Sequence, residues 1–318
     1  PQQANIGEEL RAKLGSLAVG LFSEAAMHTP VDVTERAVKA VTDLQADALV
    51  AIGGGSTTGL GKAIALRTDL PQLVVPTTYA GSEATPILGQ TENGIKTTLR
   101  DMKVLPEVVI YDAELTRTLP ARMIVTSGLN AIAHAAEALY TKDRNPIISA
   151  LALQGIEALT TAMPAINANP DDLEERSRAL YGAWACGICL GSVGMALHHK
   201  VCHTLGGSFD MPHAETHSVI LPHAIAYNER AVADELSPIS KFLNSSSAAQ
   251  GLWDLAKSLG APMTLAELGM KREDLAKAAE IMTKNPYWNP QPLVESELLA
   301  LLEDAFEGNV PGHGLGGR

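Results

Sequence analysis

Residues 48–58 read Ala-Leu-Val-Ala-Ile-Gly-Gly-Gly-Ser-Thr-Thr, five apolar positions running straight into three glycines and three hydroxyl side chains. An unbroken apolar run of this length, closed by a turn signal, fits a strand buried on both faces of a parallel sheet. The spacing predicts a strand over 48–52, a glycine turn, and a helix from about Thr58 to Leu66. Glycine lets a backbone approach a pyrophosphate, and the free N–H groups of a helix N-terminus favour an anion. The spacing is not Gly-x-Gly-x-x-Gly, so the triplet alone fits a plain tight turn as well as a phosphate cradle.

The flanking sequence extends the pattern. Val33, Ala37, Val41 and Leu44 mark one face of a helix. Leu17–Phe22, Leu73–Val75 and Val108–Tyr111 read as further strands, so strand and helix alternate as in βαβ units. Leu73–Val75 also ends in polar residues, Pro76-Thr77-Thr78-Tyr79-Ala80-Gly81-Ser82-Glu83. Two neighbouring strand ends of this kind form a crevice at the carboxyl edge of the sheet, where open α/β folds bind ligands. The chain opens on a helical stretch, Ile6–Leu14, where such a sheet normally opens on a strand, as though the start of the fold lay upstream.

Beyond Thr118-Leu119-Pro120 the texture turns Ala/Leu/Glu-rich and helical, with loops at Asn167–Pro170, Pro212 and Pro262. The expected architecture is α/β: an N-terminal parallel-sheet nucleotide-binding domain (1–117) followed by an all-helical C-terminal domain (118–318). From Ala179 to Leu197 no residue is charged, but Gly182, Gly187, Gly191 and Gly194 interrupt the run. It reads as one core helix that lets its neighbours approach closely, rather than as a membrane span.

Composition removes several classes of function. The net charge of −12 opposes phosphate-backbone binding, so nucleic acid is not an expected partner. Pro1-Gln2-Gln3 has neither the basic start nor the apolar run of a secretory leader. Cys186, Cys189 and Cys202 are three in number and crowded together, which suits a reducing, cytoplasmic setting rather than a disulfide framework. The lone Cys186-x-x-Cys189 sits among Ala, Gly, Ile and Leu and reads as buried helix packing.

The histidines carry more information. Six of the nine, His198, His199, His203, His213, His217 and His223, fall within one short segment. His199 and His203 are four apart, as are Asn130 and His134, and residues at i and i+4 share a helix face. Two such helices, with His213 on the following turn, can converge on one centre. His134, His199, His203 and His213 are therefore the expected functional histidines. His28, His198, His217, His223 and His313 are expected to be core or surface residues.

Together these motifs resemble the iron-containing alcohol dehydrogenase superfamily: Gly-Gly-Gly-Ser at 53–56, Pro-Thr-Thr at 76–78 with Gly-Ser-Glu at 81–83, Asn130-x-x-x-His134, and His199-x-x-x-His203-x-Leu-Gly-Gly before Pro212-His213. Within it, Pro-Thr-Thr-Tyr-Ala-Gly-Ser-Glu, Ile95-Lys96-Thr97-Thr98 and Met211-Pro-His-Ala-Glu-Thr-His217 are similar to the maleylacetate reductases. The resemblance implies an active site in a cleft between the two domains. It implies NADH or NADPH as cofactor, with Gly53, Gly54, Gly55 and Ser56 on the pyrophosphate and Thr77, Thr78 and Lys96 near the ribose and nicotinamide. It further implies a small dianionic substrate met by Asn130, Lys200 and Tyr79, a catalytic role for His203, His199, His134 and His213, and a homodimer. Reduction of a carbon–carbon double bond in aromatic-compound degradation is the implied activity. A metal-dependent alcohol or polyol dehydrogenase, or a lyase similar to 3-dehydroquinate synthase, are the alternatives on the same fold.

In metal-dependent relatives an Asp and three His hold a divalent ion, at positions that match Asn130, His134, His199 and His213. Asn130 departs from that pattern, since an amide oxygen is neutral where a carboxylate is charged. Lys200, beside His199, adds a cation. The expectation is an anion-binding site with no metal.

Overall fold

The computed structural model describes residues 4–284 and 287–315; Pro1-Gln2-Gln3, read above for a leader, lies outside them. The chain divides into two compact units, Pro1–Thr118 and Leu119–Arg318. The first is α/β with a parallel sheet, and the second is helical.

The first unit opens with helix α1 (Ala4–Leu14) and α2 (Val31–Asp43). Strand β1 (Leu49–Gly53) leads through the glycine turn into α3 (Gly55–Thr68), and β2 (Gln72–Pro76) follows. Next come the antiparallel pair β3 (Ile87–Glu92) and β4 (Ile95–Arg100), then the short β5 (Val108–Val109). The sheet order is β1-β2-β5, parallel throughout, with Ile52 opposite Val75 and Gly53 opposite Pro76. That register sets the two polar strand ends side by side. Val33 and Ala37 of α2 pack on Leu60 and Ile64 of α3, which makes the core of this layer.

Leu17–Phe22 forms no strand, contrary to the expectation. Leu17, Val19 and Leu21 are exposed, and among the described residues no strand pairs with the segment. β propensity without a hydrogen-bonding neighbour does not make a strand. The hairpin of β3 and β4 was not expected. Its turn is Asn93-Gly94, both at positive φ (51° and 75°), the pairing that two-residue hairpins favour.

The second unit contains α4 (Ala121–Tyr140), α5 (Pro146–Ala168), α6 (Leu173–Ser192), α7 (Leu197–Phe209), α8 (His213–Phe242), α9 (Ala248–Ser258), α10 (Leu275–Lys284) and α11 (Glu295–Glu307). α8 breaks its helical geometry at Val232. α4 is the axial helix, buried from Ile124 to Tyr140. α5 and α6 cross at Gly155 and Gly182: a Cβ on Gly182 would lie 2.8 Å from Leu159 Cγ and 3.1 Å from the Gly155 carbonyl oxygen.

Residues 179–197 are two helices, not the single core helix expected. α6 ends at Ser192, Val193 turns extended, and α7 departs at 91°. α5 is a second stretch apolar and long enough to cross a membrane by length and composition, which the sequence pattern did not single out; half of its most apolar window is buried.

One buried cation organises the first unit. Lys62 of α3, about 1% exposed, donates to the carbonyl oxygens of Ser82 (2.5 Å), Thr85 (2.8 Å) and Ile87 (2.9 Å) and to Thr85 Oγ1 (2.9 Å). It thereby ties down the far end of the loop that follows β2. Lys62→Met would remove a donor from the Ser82, Thr85 and Ile87 carbonyl oxygens, of which Ser82 keeps the Thr85 N–H and hydroxyl, at about 1–3 kcal/mol for each group left unsatisfied. Backbone amide exchange over 82–87 should then accelerate by at least about tenfold, and an unchanged rate would overturn this role.

Candidate active site

In the first unit, β1 ends at Gly53 with φ 153°, and a Cβ there would sit 2.5 Å from Thr57 Oγ1. A Cβ on Gly54 would meet Thr78 Cγ2 at 2.8 Å, and the Thr77 N–H donates to the Gly53 carbonyl at 3.0 Å. The two strand-end loops are thus packed directly on each other, and these two glycines are sterically required. Gly55 differs. It is exposed and opens α3, and a Cβ placed on it would meet no heavy atom within 4 Å. Its absence of side chain leaves open space over a helix N-terminus whose first N–H groups have no intrahelical partner. Ser56, half-buried, is next to it.

Thr77 and Thr78 are buried at the adjacent strand end. Tyr79 departs from its expected role in substrate contact: it is fully buried and its hydroxyl donates to Thr116 Oγ1 at 3.1 Å, so it serves as core beneath the loop. Glu83 is buried as well; burial pushes its carboxyl up, and Tyr111 OH donates to it at 3.1 Å. Burial pushes the Lys62 amine down to about 7. Lys96 lies on β4, and its side chain is outside the described residues.

In the second unit, α4, α7 and α8 bring six imidazoles together. The His134 and His199 ring centroids are 5.1 Å apart, and those of His199 and His203 are 6.1 Å apart. His213 lies 4.4 Å from His217, which is 5.3 Å from His199 and 4.9 Å from His198. The expected four histidines are therefore joined by two that were expected to be mere core. His217 follows His213 by four residues on α8, the same spacing that singled out the other pairs. His198 and His217 are buried and hydrogen-bonded to each other, Nε2 to Nδ1, at 2.9 Å.

The cluster grades from buried to open. Asn130, His134 and His199 are buried, whereas His203 and His213 are exposed. Burial, and then the neighbouring imidazoles, hold His134, His198 and His217 well below the usual histidine range, so they are uncharged near neutral pH. Lys200 is half-buried, with its ammonium 5.3 Å from the centre of the Tyr287 ring.

The residue that sequence reasoning missed is Glu137. It sits one turn beyond His134 on α4 and is fully buried. Its Oε2 accepts the Ala196 N–H (2.9 Å) and is hydrogen-bonded to His199 Nδ1 (2.7 Å). Its Oε1 accepts from the His198 N–H (2.7 Å) and Tyr140 OH (3.3 Å). A stripe Asn130, His134, Glu137 at spacings of four and three was the available signal. Asn228 donates to Tyr140 OH (3.2 Å) and to Asn289 Oδ1 (3.0 Å), and Asn289 Oδ1 also accepts the Leu197 N–H (3.2 Å). The first amides of α7 are thus bound from outside the helix, and Ala196 has no side chain to cap it.

The cysteines are free and buried, and burial raises all three thiols, Cys189 to about 12. Asn130 Oδ1, His134 Nδ1 and His199 Nε2 are buried without a hydrogen-bond partner. They are the atoms a metal or a ligand would meet. Each offers a lone pair, as the ligands of a divalent ion do, but none of the three is a carboxylate, and the nearby carboxylate of Glu137 is engaged by Ala196, His198, Tyr140 and His199. Among the described residues, the one group of three His, Cys or acidic ligand atoms within 4.8 Å of one another is His198, Cys202 and His217, which leaves out His134, His199 and His213. In that group the two imidazole nitrogens already bond each other.

Comparison with known proteins identifies the family. The description "Iron-containing alcohol dehydrogenase" matches residues 2–113, and "Fe-containing alcohol dehydrogenase family, C-terminal" matches residues 124–306. The chain is 61% identical to the maleylacetate reductase of Rhizobium sp. (strain MTP-10005) over 98% of its length and 88% of the relative's. It is 56% identical to that of Sphingobium indicum over the same shares. The crystal structure of maleylacetate reductase from Agrobacterium tumefaciens superposes with a TM-score of 0.95 at 59% identity, covering 98% of this chain and 89% of that one. With both halves matched and such relatives along nearly its whole length, the chain belongs to the iron-containing alcohol dehydrogenase family, on the branch of the maleylacetate reductases.

Proposed function

We propose that the chain catalyses NAD(P)H-dependent reduction of the carbon–carbon double bond of maleylacetate to 3-oxoadipate, in the cytoplasm and without a metal ion. The observation that carries this reading is the cluster of six imidazoles, of which His134, His198 and His217 are buried and uncharged, with an amide, Asn130, at the position where metal-dependent relatives place a carboxylate. The identity to maleylacetate reductases supports the substrate.

The bound nicotinamide supplies the hydride. Gly53, Gly54 and Gly55 with Ser56 would hold the cofactor's pyrophosphate at the N-terminus of α3, where backbone N–H groups and the helix dipole favour phosphate. Thr77 and Thr78 line the next strand end. In the substrate, the hydride adds to the alkene carbon remote from the ketone, and the electron pair passes to the ketone oxygen as an enolate. A proton then adds at the other alkene carbon, which completes the reduction. Lys200 and the N–H groups of the histidines bind the carboxylates and the developing oxyanion. His203 is the proposed proton donor: it touches His199 yet is exposed, so water can reprotonate it after each turnover. A homodimer is the proposed assembly.

Purified chain should oxidise NADH or NADPH in the presence of maleylacetate at a rate unaffected by EDTA. Activity that disappears with EDTA and returns with Fe²⁺ or Zn²⁺ would sink the metal-free part of the proposal. Replacement His203→Ala should lower kcat by about 10²-fold or more, the usual worth of a positioned acid, with a smaller change in KM. A variant in which only KM moves would remove His203 from the proton-transfer step.

A further inference from the structure

We propose that Glu137 is a positioning residue for the reaction, fixing the tautomer and direction of His199 from inside the protein. This role rests on the catalytic reading given above for the histidine cluster, but its central claim concerns the protein alone.

Acceptor capacity is the starting point. An ionised carboxylate has about four lone-pair sites and no donor. Glu137 is fully buried; two backbone N–H groups and one tyrosine hydroxyl donate to it, and its remaining site faces His199 Nδ1 at 2.7 Å. Taken with those three donors, an ionised carboxylate, which has no hydrogen of its own, places the proton of His199 on Nδ1. Which ring nitrogen is left for chemistry is set by the bond the other one makes. His199 Nε2 is accordingly the outward-facing atom of this imidazole; it is buried and has no hydrogen-bond partner.

His199 is also the hub of the cluster, with ring contacts to His134, His198, His203 and His217. Its direction consequently sets where four other rings rest. The same carboxylate holds the amides of Ala196 and His198, so the helix that carries His199 and the ring of His199 are located by one group.

The deciding measurement is ¹⁵N-detected NMR of the histidine side chains, with His199 assigned by the signal that a His199→Gln variant loses. Wild-type protein is expected to show His199 protonated on Nδ1, and Glu137→Gln is expected to move that proton or to give a mixture of tautomers. In parallel, Glu137→Gln should lower kcat by about 10- to 100-fold, the range for groups that orient a reacting ligand, with KM changing by less than about threefold. Glu137→Asp keeps the charge and should recover at least part of the loss. Tyr140→Phe removes one bond to the same carboxylate without touching His199, and it should cost less activity than Glu137→Gln.

The proposal is overturned if wild-type His199 carries its proton on Nε2, or if Tyr140→Phe and Glu137→Gln reduce kcat alike, which would mark a purely structural role. Should Glu137→Gln fail to fold, the wild-type tautomer and the ranking of Glu137→Asp against Tyr140→Phe decide the matter in the same way. A wild-type chain inactive on maleylacetate would instead count against the proposed function, and the tautomer would still decide the role of Glu137.

Discussion

The four hydrogen bonds received by the Glu137 carboxylate organise the second unit. A charge cannot be taken from water into a protein core without compensation, and here each lone-pair site has a donor. Two of those donors are amides at the start of α7, a helix that turns away from α6 at 91° and begins at an alanine with no capping side chain. The break between the helices and the buried acid therefore explain each other. Without the carboxylate the N–H groups of Ala196 and His198 would be buried and unmet. Without the break, Glu137 would have no amides to bind. Through His199 Nδ1 the same group reaches the cluster, so local backbone geometry and the candidate chemistry share one anchor.

This also explains how much of the molecule was legible in its sequence. The unbroken apolar run before Gly53 and the spacing of Val33, Ala37 and Val41 are local signals, and the parallel strand and α2 followed from them. The i,i+4 spacing of Asn130 with His134 and of His199 with His203 likewise placed each pair on one helix face. Leu17–Phe22 misled because strand formation depends on a neighbour, which residue type does not record. The Asn93-Gly94 turn was a strong local signal that went unread, and with it β3 and β4. Glu137 was beyond local reasoning of another kind: three of its four partners lie about sixty positions away and two of these are backbone amides, which carry no side-chain signature.

The site resolves an apparent conflict between the chain's acidity and its proposed dianionic substrate. A net charge of −12 repels anions at long range. Close to the cluster, however, the described groups include six imidazoles, an amide and one lysine, while Glu137 is fully buried against His199. Attraction at contact distance does not depend on the overall sign, because water and salt screen distant charges far more than partly buried ones.

The histidines occupy particular places along their helices. His198 and His199 lie in the first turn of α7, and His213 is the first residue of α8. Each helix start carries about half a positive elementary charge on its amides. That charge belongs to the peptide backbone. No proton exchange or redox change removes it. At α7 that pole is met by the Glu137 carboxylate, while at α8 it lies directly beside His213, so part of the polarity around the cluster is a property of the backbone rather than of its side chains.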